Sequence, residues 1–320
     1  MKFAFLLSKE NLALSVAEVI ALAGDRTYAI ADNLLFLDIS EKTADFLGTR
    51  LAFTKAVYRF LFSCTESGII ESLESFDWNS IYRKNFRLVV KGSKQYSERD
   101  LARYIYASLR RPKVRMEGPA TQFELHFKDG RWFAFLLHSV LKDDYESRKS
   151  HNRPCHHPTA MHPRWAKAFV NLTGIRNGPI LDPMCGAGGF LIEAGLLRLK
   201  PVGRDIDAWM IHRAKTNLNH FRIEDFDVRV ADATKIKRRY NYIFTDLPYG
   251  KNTKGSISEK SRMYRSFFRN LKLILGMRAV IVGPSTIDCR KMLKASGFKI
   301  IHEFQQHVHH TLTRNIFVIS

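Results

Sequence analysis

The feature that most constrains what this chain can fold into is the run Asp182-Pro183-Met184-Cys185-Gly186-Ala187-Gly188-Gly189. It follows a short apolar stretch at 180–182 and opens a helical pattern at 189–197. A glycine turn between a strand and a helix marks a β-α unit. Repeated β-α units imply a parallel sheet with helices on both faces. The pattern continues with strands at 201–205, 227–231, 242–246 and 279–283 and helices at 207–221, 261–275 and 286–295. Two last strands, 299–307 and 315–319, read as a hairpin that would put one antiparallel strand at an edge.

The first half is built from smaller pieces. Strands are expected at 2–7, 34–38, 86–90, 123–127 and 132–140, the last two joined by a turn at 128–131. Helices are expected at 11–22, 50–62 and 98–109. This is an α+β arrangement. From 143 to 162 the chain is polar, with Pro154, Pro158, His156, His157 and His162, and reads as a linker or an embracing loop.

Charge narrows the partner. Lys and Arg number 51 against 31 Asp and Glu, a net charge of +20. Such a surface expects a polyanion, nucleic acid first and acidic membrane second, although a generally solvated basic surface gives the same total. The excess is concentrated: residues 83–115 hold 11 basic residues against Glu98 and Asp100, and residues 251–300 hold 12 against Glu259 and Asp288. Two separated basic segments suggest two contacts on one long anion. Apolar runs fall far below the ~20 residues of a membrane span, and Lys9 and Glu10 cut the N-terminal run short of a signal peptide. Cys64, Cys155, Cys185 and Cys289 are scattered, which argues for a reducing, cytoplasmic setting without a disulfide framework.

Two motifs carry chemistry. In the first, glycines let backbone approach a ligand closely, and the helix start favours an anionic group. Asp205, 23 residues after Asp182, is placed to bind ribose hydroxyls, and Asp232 ends the next strand within reach of an adenine edge. Dehydrogenases share this much, and a tight turn with unrelated surface aspartates is the plainer alternative. The second motif is Asp246-Leu247-Pro248-Tyr249-Gly250. Its acid and a nearby carbonyl can accept hydrogen bonds from an exocyclic amine, and the Tyr249 ring can stack on a flipped base. Taken alone it also reads as a turn closing a strand. Both motifs in order, each ending a strand, are stronger together and speak against a nicotinamide dehydrogenase.

The segments DPMCGAGGFLIEA, GRDID, VADAT and DLPYG resemble the ordered motifs of class I S-adenosylmethionine-dependent amino-methyltransferases. HPTAMHPRWAKAFVNLTG resembles the stretch before the glycine loop in the THUMP-domain tRNA guanine-N2 methyltransferases, especially the archaeal family acting on guanosine 10 of tRNA. SERDLARYIYASLRRPKVRMEGPATQFELHFKDGRWFAFLLHSV is similar to the end of a THUMP domain, and residues 1–45 look like a small ferredoxin-like domain. The resemblance implies an α/β protein: a ferredoxin-like domain at 1–45, a THUMP RNA-binding domain at 46–143, a linker at 144–163 and a Rossmann-like methyltransferase domain at 164–320. Two departures stand out. The family usually has proline where Leu247 stands, and Phe and Thr where Met184 and Ala187 stand.

By resemblance, Asp182 and the glycine loop, with Met184, Cys185, Gly186, Ala187 and Gly188, would hold the methionine end of S-adenosylmethionine. Asp205 with Ile206 would take the ribose, and Asp232 with Ala233 the adenine. Asp246, Leu247, Pro248 and Tyr249 would form the catalytic set around the guanine, with in-line transfer of the sulfonium methyl to its N2 amine. Arg83, Lys84, Arg87, Arg110, Arg111, Lys113, Arg115, Lys251 and Lys254 would contact tRNA. Tyr264 and the basic residues at 251–272 would form the lip of the target pocket. The histidines read as solvated or RNA-facing, and no metal is expected. The implied partner is tRNA, with the small zinc-binding activator protein of eukaryotic relatives as a further candidate; otherwise a monomer is expected. Position 6 of tRNA, or another RNA guanine, is the alternative target. A catalytically impaired RNA-binding protein is the alternative of another class. The number of methyls stays open.

Overall fold

Two seven-stranded sheets carry the chain. The structure is a computed structural model and describes residues 1–24, 26–156, 160–249, 256–309 and 312–320. It divides into two units: Met1–Leu12, Arg26–Thr49 and Thr54–Lys142 make the first, and Ala13–Asp25, Arg50–Phe53 and Asp143–Ser320 the second.

In chain order the first half forms β1 (Lys2–Leu7), α1 (Leu12–Ala23), β2 (Tyr28–Ala31), β3 (Leu34–Asp38), α2 (Glu41–Arg50), β4 (Thr54–Thr65), α3 (Ile69–Ser75), β5 (Phe86–Lys91), α4 (Glu98–Ser108), β6 (Thr121–Lys128) and β7 (Arg131–Val140). The first sheet runs β2-β3-β1-β4-β7-β6-β5. Neighbours are antiparallel except the parallel pair β5 and β6. Asp129 and Gly130 both have positive φ, 50° and 72°, the backbone that a two-residue hairpin turn requires. Ser97 caps α4 with Asp100 in a reciprocal capping box. Residues 1–45 and 46–143, read from the sequence as two modules, contribute strands to this one sheet.

One expected helix, 50–62, is absent. The helix ends at Arg50, and Thr54–Thr65 is a strand paired with β1 and β7. Its residues Val57, Tyr58, Phe60 and Phe62 are β-branched or aromatic and suit a pleated surface better than a helix. The helix begins earlier, where the Ser40 hydroxyl accepts from the Thr43 amide at 3.2 Å.

The second half forms α5 (Pro163–Leu172), β8 (Pro179–Asp182), α6 (Gly189–Leu196), β9 (Lys200–Asp205), α7 (Ala208–His220), β10 (Asp227–Val230), β11 (Tyr240–Asp246), α8 (Ile257–Ile274), β12 (Leu275–Pro284), α9 (Cys289–Ala295), β13 (Ile300–His309) and β14 (Leu312–Ile319). The sheet order is β10-β9-β8-β11-β12-β14-β13. The first five strands are parallel, and β14 is antiparallel to both its neighbours. The antiparallel strand therefore lies one place in from the edge, and β13 is the edge itself. Burial explains this: Ile316, Phe317, Val318 and Ile319 are buried on both faces, whereas His302, Glu303 and Gln305 of β13 are exposed.

Two chain segments from the N-terminal half complete the second unit. Buried Glu18 of α1 accepts from the amides of Ala52 and Phe53 at 2.8 and 2.9 Å and from Asn171 Nδ2 at 2.8 Å. Arg50 Nη2 donates to the Ile175 carbonyl at 2.8 Å. The segment after Lys142 embraces this unit. Arg148 makes a two-pronged contact with Glu193 of α6 at 2.8 and 3.1 Å, and Cys155 exchanges backbone hydrogen bonds with the Asn217 side chain of α7.

Candidate active site

The C-terminal ends of β8, β9, β10 and β11 bring the two sequence motifs to one side of the second sheet. Ligands in open α/β sheets bind at that side, where helix starts and loops converge. At the end of β8, Asp182 is buried and accepts from the Met184 amide at 3.1 Å. Burial, with the like charges of Asp205 and Asp246, pushes its carboxyl up to about 8. The turn that follows is tightly specified. The Cys185 amide donates to the Arg204 carbonyl at 2.8 Å, and the Gly188 amide donates to the Cys185 carbonyl at 2.9 Å. Gly188 sits at φ +83°, where a side chain would be strained and a Cβ would lie 3.2 Å from Ala214. Cys185 and Ala187 are buried, and burial raises the Cys185 thiol well above its ordinary range, which removes it as a nucleophile. Met184 packs against the core beneath the loop.

Asp205 ties the next strand to this loop. Its Oδ2 accepts from the Gly186 amide at 2.8 Å and its Oδ1 from the Asp207 amide at 3.0 Å. Ile206 beside it is 74 % exposed, an apolar side chain at the strand tip. The Ala231 amide donates to the Asp205 carbonyl at 2.9 Å and brings the end of β10 alongside. There Asp232 accepts from the Thr234 amide and hydroxyl at 2.9 and 2.7 Å, and the hydroxyl bond holds its carboxyl below the usual range. Ala233 is buried behind it.

The second motif ends β11. Asp246 Oδ2 accepts from the Tyr249 hydroxyl at 3.1 Å, while Oδ1 is buried with no hydrogen-bond partner among the described residues. A buried acceptor left unmatched is costly unless a ligand supplies the donor. Burial pushes this carboxyl up to about 6, against the opposing pull of the Arg314 guanidinium and the Tyr249 bond. Leu247 is 1 % exposed, and its amide donates to the Val282 carbonyl at 2.9 Å. Tyr249 is half-buried, its hydroxyl also accepts from Arg314 Nε, and the Arg314 guanidinium lies over its ring at 5.8 Å.

Two placements differ from the sequence reading. Tyr264 forms no lip: it is fully buried in α8, and its hydroxyl donates to the Pro248 carbonyl at 2.8 Å, bracing the loop from behind. Arg314 was missed altogether. It lies on β14, 65 residues beyond Tyr249, and no local motif surrounds it. The available signal was an arginine just ahead of the apolar run Ile316–Ile319 in the last strand, since a buried guanidinium requires a partner.

The basic residues of the first unit gather on two loops that clamp each other. The Phe86 amide donates to the Lys113 carbonyl at 2.8 Å, and the Tyr82 hydroxyl donates to the Lys84 carbonyl at 2.9 Å while accepting from the Lys113 amide at 3.1 Å. Arg83, Lys84, Arg110, Arg111, Lys113 and Arg115 are exposed there, and Arg87 is half-buried. Lys251, Lys254 and Gly250 lie outside the described residues. Among the described residues no three His, Cys, Asp or Glu side chains form a metal-holding group, and no helix is long and apolar enough to cross a membrane.

A family model described as UPF0020, RMKL-like, methyltransferase domain, matches residues 150–314. The tRNA (guanine(10)-N2)-dimethyltransferase of Pyrococcus abyssi is 32 % identical over 261 residues, 79 % of either chain. The enzyme of the same name from Methanothermobacter thermautotrophicus is 29 % identical over 341 aligned positions, covering 100 % of this chain and 99 % of its own. Among solved structures, TrmN from Thermus thermophilus aligns with a TM-score of 0.53 at 16 % identity, covering 100 % of this chain and 99 % of that one, a likeness of fold.

Proposed function

Because the chain belongs to the UPF0020, RMKL-like methyltransferase family, and to the family of archaeal tRNA guanine-N2 methyltransferases, we propose that it methylates the exocyclic N2 amine of guanosine 10 in tRNA, using S-adenosylmethionine. The observation that carries the chemistry is the buried Oδ1 of Asp246, unpartnered among the described residues, beside a glycine loop bounded by the acidic side chains of Asp182 and Asp205. The cofactor supplies an electrophilic methyl on its sulfonium.

The chain's own residues do the rest. Asp182 and the loop 184–188 face the methionine end, Asp205 the ribose and Asp232 the adenine. Asp246 Oδ1 accepts one N2–H of the guanine, and the Leu247 carbonyl serves as the second acceptor. These bonds favour a pyramidal, more nucleophilic nitrogen in an amine whose lone pair is otherwise delocalised. Positioning supplies much of the acceleration. With its carboxyl near 6, Asp246 is ionised at neutral pH and basic enough to accept the proton released after transfer. Tyr249, held between Asp246 and Arg314, offers a fixed ring for stacking.

The first unit is read as the tRNA-holding part. Its exposed basic loops suit A-form RNA, which is recognised largely through shape and phosphates. The names of the relatives support two methyls rather than one. An activator protein remains part of this reading: β10 is the edge of the second sheet opposite β13, with Val230 54 % exposed.

The test is transfer of labelled methyl to an unmodified tRNA transcript and to one with adenosine at position 10, with Asp246→Ala as control. Label on the first alone, lost in the variant, supports the reading, and nucleoside analysis counts the methyls. Equal label on both moves the target elsewhere. No label, even with a candidate activator, favours an RNA-binding protein.

A further inference from the structure

Arg153 lies in the segment that embraces the second unit and takes no part in the chemistry above. It is 5 % exposed, and its Nη2 is buried with no hydrogen-bond partner among the described residues. Its Nε donates to the Arg148 carbonyl at 2.8 Å. Arg148 itself engages both oxygens of Glu193, so that carboxylate is already committed. A buried cation with an idle donor calls for an anion.

The guanidinium is aimed at the start of α6. A Cβ built on Gly189, the first residue of that helix, would lie 3.1 Å from Arg153 Nη1. Glycine at 189 is what admits the guanidinium so close. The N-cap of α6 is Gly188, and among the described residues no side chain caps the helix. Its first N–H groups therefore want an acceptor, and the helix dipole favours negative charge at the same place. Two independent demands for an anion meet at the glycine loop.

We propose that Arg153 and the uncapped start of α6 together receive the methionyl carboxylate of S-adenosylmethionine. This rests on reading residues 182–189 as the cofactor loop. The carboxylate is the cofactor's one anionic group, and its planar pair of oxygens matches the guanidinium fork. Arg153 thereby fixes how far along the loop the sulfonium sits and acts as a positioning residue for the methyl.

The experiment is equilibrium binding of two ligands by calorimetry on the full chain: S-adenosylhomocysteine, and S-adenosyl-3-thiopropylamine, the same molecule without its carboxylate. The parent protein should prefer the carboxylate-bearing ligand by about ten- to a hundredfold, the worth of a hydrogen bond to a charged group. Arg153→Gln should erase that preference, weakening S-adenosylhomocysteine and leaving the thiopropylamine nearly unchanged. Arg153→Lys should restore part of it. Equal losses for both ligands, or a parent protein that binds both equally well, overturn the inference while leaving the cofactor reading intact. A parent protein that binds neither overturns both. If Arg153→Gln does not fold, the parent's preference decides.

Discussion

The amide of Leu247 donates to the carbonyl of Val282 at 2.9 Å and extends the β11–β12 ladder one residue past Asp246. A proline at 247, the residue that the resembling family usually carries there, has no N–H to give. This chain holds its catalytic loop by a strand hydrogen bond where ring rigidity would otherwise serve. Leu247→Pro is expected to destabilise the protein by about 1–3 kcal/mol, from the lost bond and the smaller buried side chain. Denaturant unfolding measures it, and an unchanged midpoint would show that the bond carries no weight.

Arg314 counteracts the effect of burial on Asp246. If Asp246 accepts hydrogen bonds as a carboxylate, activity should rise with pH through about 6 in the parent protein. Arg314→Gln removes the opposing positive charge. The acid limb of the pH–rate profile should then move to higher pH, by roughly one unit or more. A limb that stays in place would separate Arg314 from the ionisation of Asp246.

Asp182 trades stability for its site. Its carboxyl is raised from 3.8 to about 8, so the folded protein holds a proton that the unfolded chain has released. Across that window the unfolded state binds fewer protons, and the contribution of this group to stability falls as pH rises. Asp182→Asn should flatten the decline of melting temperature between pH 5 and pH 8, within a window set by these two values. It should also weaken S-adenosylhomocysteine about tenfold or more, the cost of losing a hydrogen bond to a charged group. A variant whose melting temperature falls with pH as steeply as the parent's would contradict the assignment.

The loops carrying Arg111 and Lys113 should contribute phosphate contacts. The double substitution Arg111→Ala with Lys113→Ala should weaken tRNA binding and reduce the slope of log affinity against log salt by up to about two. Filter binding at several salt concentrations reads this directly. Weaker binding at an unchanged slope would mean a structural effect on the loop.

The catalytic half was legible because its signals are local. Glycines at a strand-to-helix turn, acids at strand ends and Asp246–Tyr249 each announce themselves within a few residues. Arg314 and Tyr264 were not, since their roles depend on which strand or helix lies next to the 246–249 loop in space. The expected helix at 50–62 failed for a related reason: pairing of β4 with β1 and β7 overrides a weak helical pattern. The place of β14 inside the sheet followed from burial on both its faces, which a hairpin pattern alone does not disclose.

Helix α1 from Ala13 onward and residues 50–53 belong to the unit whose remaining residues begin at Asp143. Leu14, Ala17, Ala52 and Phe53 share a core with Trp165, Phe169 and Phe190. On the ribosome these early segments emerge long before their partners, and must wait, apolar faces unsatisfied, for nearly a hundred residues of other sequence to follow. No single proteolytic cut between 142 and 143 would release an intact catalytic fragment. Any attempt to transplant or shuffle the methyltransferase half has to carry the N-terminal helix with it.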